Sequence, residues 1–63
     1  SYQSVFINGR EYRNLNNFDK YFEREYLKQA LVRTNWNITA TANNIGLSRR
    51  QLFNKIQELG IKR

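Results

Sequence analysis

The side chains best suited to chemistry lie between positions 48 and 55: Ser48, Arg49, Arg50, Gln51, Asn54 and Lys55. The chemistry they suit is noncovalent. Arg presents a rigid fork of N–H donors that fits two phosphate oxygens or the O6 and N7 acceptors of guanine. Asn and Gln pair a donor with an acceptor, the arrangement that adenine complements at N6 and N7. A Ser that opens a helix adds its hydroxyl to backbone N–H groups that face an anion. Bond-breaking chemistry has little to work with. The chain has no His and no Cys, which removes the common nucleophile–base pairs, the His general base and the zinc ligand sets. No carboxylate cluster reads as a metal site. Neither a cofactor nor enzyme activity is expected.

A helix must carry these side chains, and the residues between them place it. Leu52, Ile56 and Leu59 recur at i, i+4 and i+7, the stripe of a helix over 49–59. Ser48 suits its N-cap, and Gly60 suits its left-handed stop, with Ile61 folding back on Ile56. The same grammar precedes it. Asn37 caps a helix over 38–45, Gly46 ends it, and Leu47 is expected on Ala42. Two short helices joined by Gly46-Leu47-Ser48 read as a helix-turn-helix. Ala42 is small enough for the pair to cross closely. A helix of about 11 residues is roughly 16 Å long, and it fits a DNA major groove roughly 12 Å wide. Arg50 and Lys55 then read as phosphate contacts. Asn37 and Thr39, at the opening of the shorter helix, suit the neighbouring phosphates. Phe53 reads as half-buried packing, or else as a contact to a thymine methyl.

Charge follows the same division. The net charge is +6 on 63 residues. Residues 1–32 carry five basic and four acidic side chains, whereas residues 33–63 carry six basic and one acidic. A basic half points to an anionic partner. The aromatics run the other way, with Tyr2, Phe6, Tyr12, Phe18, Tyr21, Phe22 and Tyr26 all ahead of residue 27. Phe18, Phe22, Tyr26 and Ala30 form one i, i+4 row of a helix from Phe18 to about Thr34, with Leu27 and Leu31 beside it. Asn16 or Asn17 is expected to cap that helix, Asp19 to favour its first turn, and Asn35 to end it in the left-handed conformation. Lys20, Arg24 and Lys28 form a basic row expected to be solvated. Trp36 reads as a plug at the helix end.

Stability shapes the next expectation. A 63-residue domain without disulfides or metals is marginal and gains from self-association. Leu27, Leu31, Leu52, Ile56 and Leu59 already fill the one inward face of the helices. Phe18, Tyr21, Phe22 and Tyr26 are therefore expected at a symmetric dimer interface. Ahead of the long helix, Asn8-Gly9 between short strand-compatible segments reads as a hairpin turn or as a linker with one turn.

The stretches Glu23-Arg-Glu-Tyr-Leu-Lys-Gln-Ala-Leu31 and Ile45-Gly-Leu-Ser-Arg-Arg-Gln-Leu-Phe-Asn-Lys-Ile56, with Asn37, Ala42 and Glu58-Leu-Gly-Ile61, carry a resemblance. From about residue 18 to 63 the chain resembles the Fis-type DNA-binding domain. That domain stands alone in the nucleoid protein Fis and closes the NtrC-like sigma-54-dependent bacterial enhancer-binding proteins. The resemblance implies that Ser48, Arg49, Gln51 and Asn54 face base edges or adjacent phosphates. It implies that Asn37 and Thr39 contact the DNA backbone, and that the long helix supplies a two-fold dimer contact. Trp36 stands where the family usually has Gly, Thr41 where it usually has Ala, and Asn44 where it usually has an apolar residue.

The expected fold is all-α: a long dimerisation helix, then a Fis-like helix-turn-helix, with an extended or hairpin N-terminal segment. Residues 1–17 form the linker or hairpin, and 18–63 the DNA-binding and dimerisation domain. The expected function is sequence-specific binding of a homodimer to a palindromic enhancer site in double-stranded DNA. The chain would be the C-terminal domain of a bacterial, cytoplasmic sigma-54-dependent activator. Sigma-54 RNA polymerase would be engaged only through upstream domains of the parent protein. No membrane partner is expected. The alternatives are a free-standing Fis-like protein that bends DNA, and a basic helical module for protein interaction. A chain that opens at Ser1 without Met reads as part of a longer protein.

Overall fold

A computed structural model describes residues 4–13 and 19–63. Two short strands, β1 (Val5–Ile7) and β2 (Arg10–Tyr12), precede three helices. The helices are α1 (Lys20–Arg33), α2 (Ile38–Ile45) and α3 (Arg49–Leu59).

The hairpin forms because Asn8 and Gly9 both take positive φ, 55° and 80°. A two-residue turn with that hand matches the twist of its strands. The antiparallel register pairs Val5 with Tyr12, Phe6 with Glu11 and Ile7 with Arg10. Val5 and Ile7 consequently face one side and Phe6 the other. That inward side is buried against α1, with Val5 and Ile7 part of the same core as the helices. An isolated hairpin of three-residue strands is marginal, so docking is what holds it.

Several contacts fix that docking. The Gln29 side-chain amide donates to the Phe6 carbonyl at 2.6 Å. The Arg33 guanidinium donates to the Ser4 carbonyl. The Tyr26 hydroxyl donates to the Arg13 carbonyl at 3.2 Å.

Helix α1 begins one residue after Asp19, whose carboxylate accepts from the Phe22 N–H at 3.0 Å. The cap is therefore Asp19, and its charge also meets the positive end of the helix dipole. Asn16, Asn17 and Phe18 lie outside the described residues. At the other end Asn35 is left-handed, with φ 56°. Its N–H donates to the Val32 carbonyl at 3.0 Å, and the Trp36 N–H to the Leu31 carbonyl at 2.7 Å. This pair of bonds is the Schellman closure. Gly46 and Gly60 close α2 and α3 in the same way, with Leu47 N–H on the Ala42 carbonyl and Ile61 N–H on that of Ile56. Gly46 has φ 78°, which a residue with a Cβ adopts only at a cost.

Trp36 follows Asn35 into the left-handed region with φ 65°. The position suits Gly, and a bulky residue is strained there. The indole is half-buried against the core, which offsets the strain. Thr41 is fully buried and has partners for its hydroxyl: the Asn37 carbonyl at 2.8 Å and the Thr34 hydroxyl at 2.5 Å. Ala would leave the Thr34 hydroxyl with one partner fewer. Asn44 lies on the exposed side of α2, where an amide needs no apolar surroundings.

Tyr26, Leu27, Ala30, Leu31, Ala42, Ile45, Leu52 and Ile61 complete the core. Tyr26 is wholly inside it, which corrects its expected place at a dimer interface: no side-chain surface is left for a second copy. The inward face of α1 is wider than the leucines alone suggest. The hairpin covers one flank of it, and α2 and α3 the other. Phe22 is half-buried, its ring 5.9 Å from that of Tyr12 and 5.3 Å from that of Tyr21. Tyr21 stays 58% exposed.

Candidate nucleic-acid interface

Helix α3 owes its start to reciprocal hydrogen bonds. The Ser48 hydroxyl oxygen accepts from the Gln51 N–H at 3.0 Å, and the Gln51 side-chain carbonyl accepts from the Ser48 N–H at 2.9 Å. This capping box satisfies two donors that a helix start otherwise leaves open. A cap of this kind contributes about 1 kcal/mol. Ser48 and Gln51 were both expected at base edges. Their oxygens are engaged in the cap, and what each still offers outward is a donor: the hydroxyl proton and the amide NH2 group.

Leu52 anchors the inward side of α3, with Ile56 and Leu59 half-buried beside it. The opposite side carries Arg49, Arg50, Phe53, Asn54 and Gln57, all exposed. Among the described residues no ion pair holds Arg49 or Arg50. Arg49, Arg50, Phe53 and Ile38, the first residue of α2, line an open groove of about 570 Å³.

Lys55 does not belong to this face. It turns toward α1, where its ammonium meets the Glu23 carboxylate at 2.5 Å, with both side chains largely covered. The expected phosphate contact at Lys55 is thus corrected to a tie between α3 and α1. Replacing Lys55 by Met leaves a largely covered carboxylate without this partner and is expected to cost about 1–2 kcal/mol in urea unfolding. A phosphate contact would instead show as a flatter dependence of DNA affinity on salt. For Lys55→Met that dependence should be unchanged.

A second ion pair joins the same helices. Lys20 Nζ lies 2.9 Å from Glu58 Oε2, both well exposed. The hydrogen bond and the charge of Glu58 raise the Lys20 pKa above its ordinary value, and Lys20 lowers that of Glu58 in return. The acidic and basic groups of α1 are therefore not merely solvated, because Lys20 and Glu23 both reach α3. Glu58 is the single acid after residue 33, and its charge is matched. The outward face of α3 keeps a net positive charge.

At the start of α2, the Asn37 side-chain oxygen accepts from the Ala40 N–H at 2.9 Å, and Thr39 is exposed two residues further on. Two short helices meeting at a glycine corner, the second with unpaired arginines outward, can lay donors along a groove walled by phosphates. Val32, which the sequence does not single out, also bears on association. Val32 is 58% exposed, on the same side of α1 as Tyr21, Glu25 and Lys28. Glu25, Lys28, Gln29, Val32 and Arg33 border a shallower groove of about 310 Å³. The i, i+4, i+7 and i+11 spacing of Tyr21, Glu25, Lys28 and Val32 was the available signal.

Among the described residues no group of three or more His, Cys, Asp or Glu stands together to hold a metal ion. No helix among them is long and apolar enough to cross a membrane.

Residues 20–63 match a family described as bacterial regulatory protein, Fis family. The response regulator protein PilR of Pseudomonas aeruginosa is 40% identical over 48 residues, which cover 76% of this chain and 11% of that protein. The chain thus spans about a tenth of the length of that relative. No solved structure matches.

Proposed function

The chain belongs to the Fis family of bacterial regulatory proteins as a helix-turn-helix DNA-binding domain, and from that premise we propose that it binds a palindromic site as a homodimer. The observation that carries the reading is the outward face of α3, where Arg49, Arg50 and Asn54 are exposed and neither arginine is held in an ion pair. The helix enters the major groove. Arg49 and Asn54 read base edges, with the Ser48 hydroxyl and the Gln51 amide as further donors. Arg50, Thr39 and the opening of α2 at Asn37 hold phosphates.

The exposed stripe of α1 supports the dimer. In an antiparallel helix pair, residues meet when their numbers share a constant sum. Tyr21 with Val32 and Glu25 with Lys28 share one sum. A single two-fold axis between residues 26 and 27 thus sets aromatic on aliphatic and carboxylate on ammonium, twice each. Tyr21 remains in the proposed interface, Phe22 borders it, and Val32 joins it. Such a dimer would set two recognition helices about one DNA turn, roughly 34 Å, apart.

The likeness to a response regulator, over about a tenth of its length, supports a regulatory parent protein of which this chain is the DNA-binding part. We place it as the C-terminal domain of a sigma-54-dependent activator. The polymerase is then engaged through other domains. Selection from random duplex DNA tests the reading. The expected product is an inverted repeat with half-site centres about 10 base pairs apart, bound in excess competitor DNA. Enrichment of a single asymmetric site would remove the dimer, and enrichment of nothing would remove sequence-specific binding.

A further inference from the structure

We propose that Phe53 reads the 5-methyl group of a thymine, through the notch it forms with Ile38, Arg49 and Arg50. The proposal rests on the reading of α3 as a major-groove helix and names one determinant of its specificity.

Phe53 is out of place for a packing residue. Leu52, Ile56 and Leu59 turn inward from the same helix, whereas Phe53 is 53% exposed. Among the described residues its ring pairs with no other aromatic ring. It follows Arg49 by one turn, so the two side chains stand on the same side of α3. Ile38 lies across from them, half-buried, and the four residues together line the open groove of about 570 Å³.

The chemistry of that groove is specific. Its apolar part is an aromatic ring beside a branched aliphatic chain, and its polar part is two guanidinium groups. Such a site takes a small apolar group surrounded by hydrogen-bond acceptors and negative charge. In a DNA duplex the thymine methyl fits that description. It projects into the major groove among base-edge acceptors, with phosphates on either side. With the Phe53 ring against the methyl, Arg49 is one turn closer to the helix start and reaches a neighbouring base, and Arg50 reaches a phosphate. The apolar contact discriminates thymine from cytosine, and from uracil, which differs from thymine by the methyl alone.

That last difference supplies the test. Binding sites are first selected from random duplex DNA with the full chain. Each thymine of the selected site is then replaced, one at a time, by deoxyuridine. Wild-type affinity is expected to fall about four-fold per methyl removed at one position in each half-site, the transfer value of one buried carbon. Phe53→Ala is expected to bind the thymine and deoxyuridine duplexes equally. It should melt as the wild type does, because the ring is exposed. The proposal is overturned if no thymine of the site is sensitive to loss of its methyl, or if Phe53→Ala still distinguishes the two duplexes. Failure to enrich any sequence overturns the underlying DNA reading, and this inference with it.

Discussion

Tyr26→Ala should lower the stability of the chain by about 3–5 kcal/mol, the largest loss expected of any single truncation here. The side chain is wholly buried, and its hydroxyl is bonded to the Arg13 carbonyl beyond the hairpin. Truncating a buried aromatic to Ala costs about 3–5 kcal/mol. A domain of this size has about 3–9 kcal/mol of stability in total, taken at 0.05–0.15 kcal/mol per residue. The loss therefore consumes from about a third of the stability to all of it. Tyr26→Phe keeps the ring and removes one hydrogen bond, so it should cost about 1 kcal/mol. Circular dichroism across a hundred-fold range of concentration separates a core residue from an interface residue. Dimerisation of the folded chain makes any core variant recover somewhat with concentration, so the comparison is with Leu52→Ala, a wholly buried residue of α3: a steeper recovery for Tyr26→Ala would return Tyr26 to a dimer contact. The same concentration dependence in both variants keeps it in the core.

The second large effect is on DNA. Arg49→Ala should weaken binding to the selected site by about 1–3 kcal/mol, roughly five- to 150-fold, and relax preference at one base pair per half-site. The fold should be unaffected, because Arg49 is exposed and among the described residues forms no ion pair. Fluorescence anisotropy with the selected duplex and with single-base variants measures both quantities. A uniform loss across all variants would make Arg49 a phosphate contact, and an unchanged affinity would move the reading function along the helix to Arg50 and Asn54.

What was legible in the sequence was mostly local. Asn37 and Ser48 as caps, Gly46 and Gly60 as stops and Asn35 as a left-handed end are each decided by one residue's own backbone chemistry. The boundaries of α2 and α3 could be read for that reason. The capping box is legible too, since Ser and Gln stand three apart at 48 and 51, yet residue type alone points Gln51 to a base edge and not to the cap. Contacts between distant segments were not legible. The partner of Lys55 is Glu23, 32 residues earlier. A helical period gives the angle of Lys55 around α3, yet not which element packs at that angle. The hairpin turn was legible in Asn8-Gly9, whereas its burial was not. Strands of three residues carry too short a period to show which face is covered. That cover lies over α1, where Tyr26 is wholly buried rather than at a dimer surface.

Gln29 and Arg33 give the hairpin a property beyond its docking. Their bonds go to the carbonyls of Phe6 and Ser4, alternate residues that point away from β2. Four residues of helix rise about 6 Å, close to the roughly 6.8 Å between alternate residues of a strand. One side of α1 thus stands in for a third strand and occupies acceptors that another chain's backbone would otherwise find. An open strand edge is a template for aggregation, and native proteins blunt it with charge or cover it. Here a recurring pair of side chains on a helix does both. Losing Gln29 or Arg33 would therefore matter less to the folded monomer than to what accumulates when many copies are held together at high concentration.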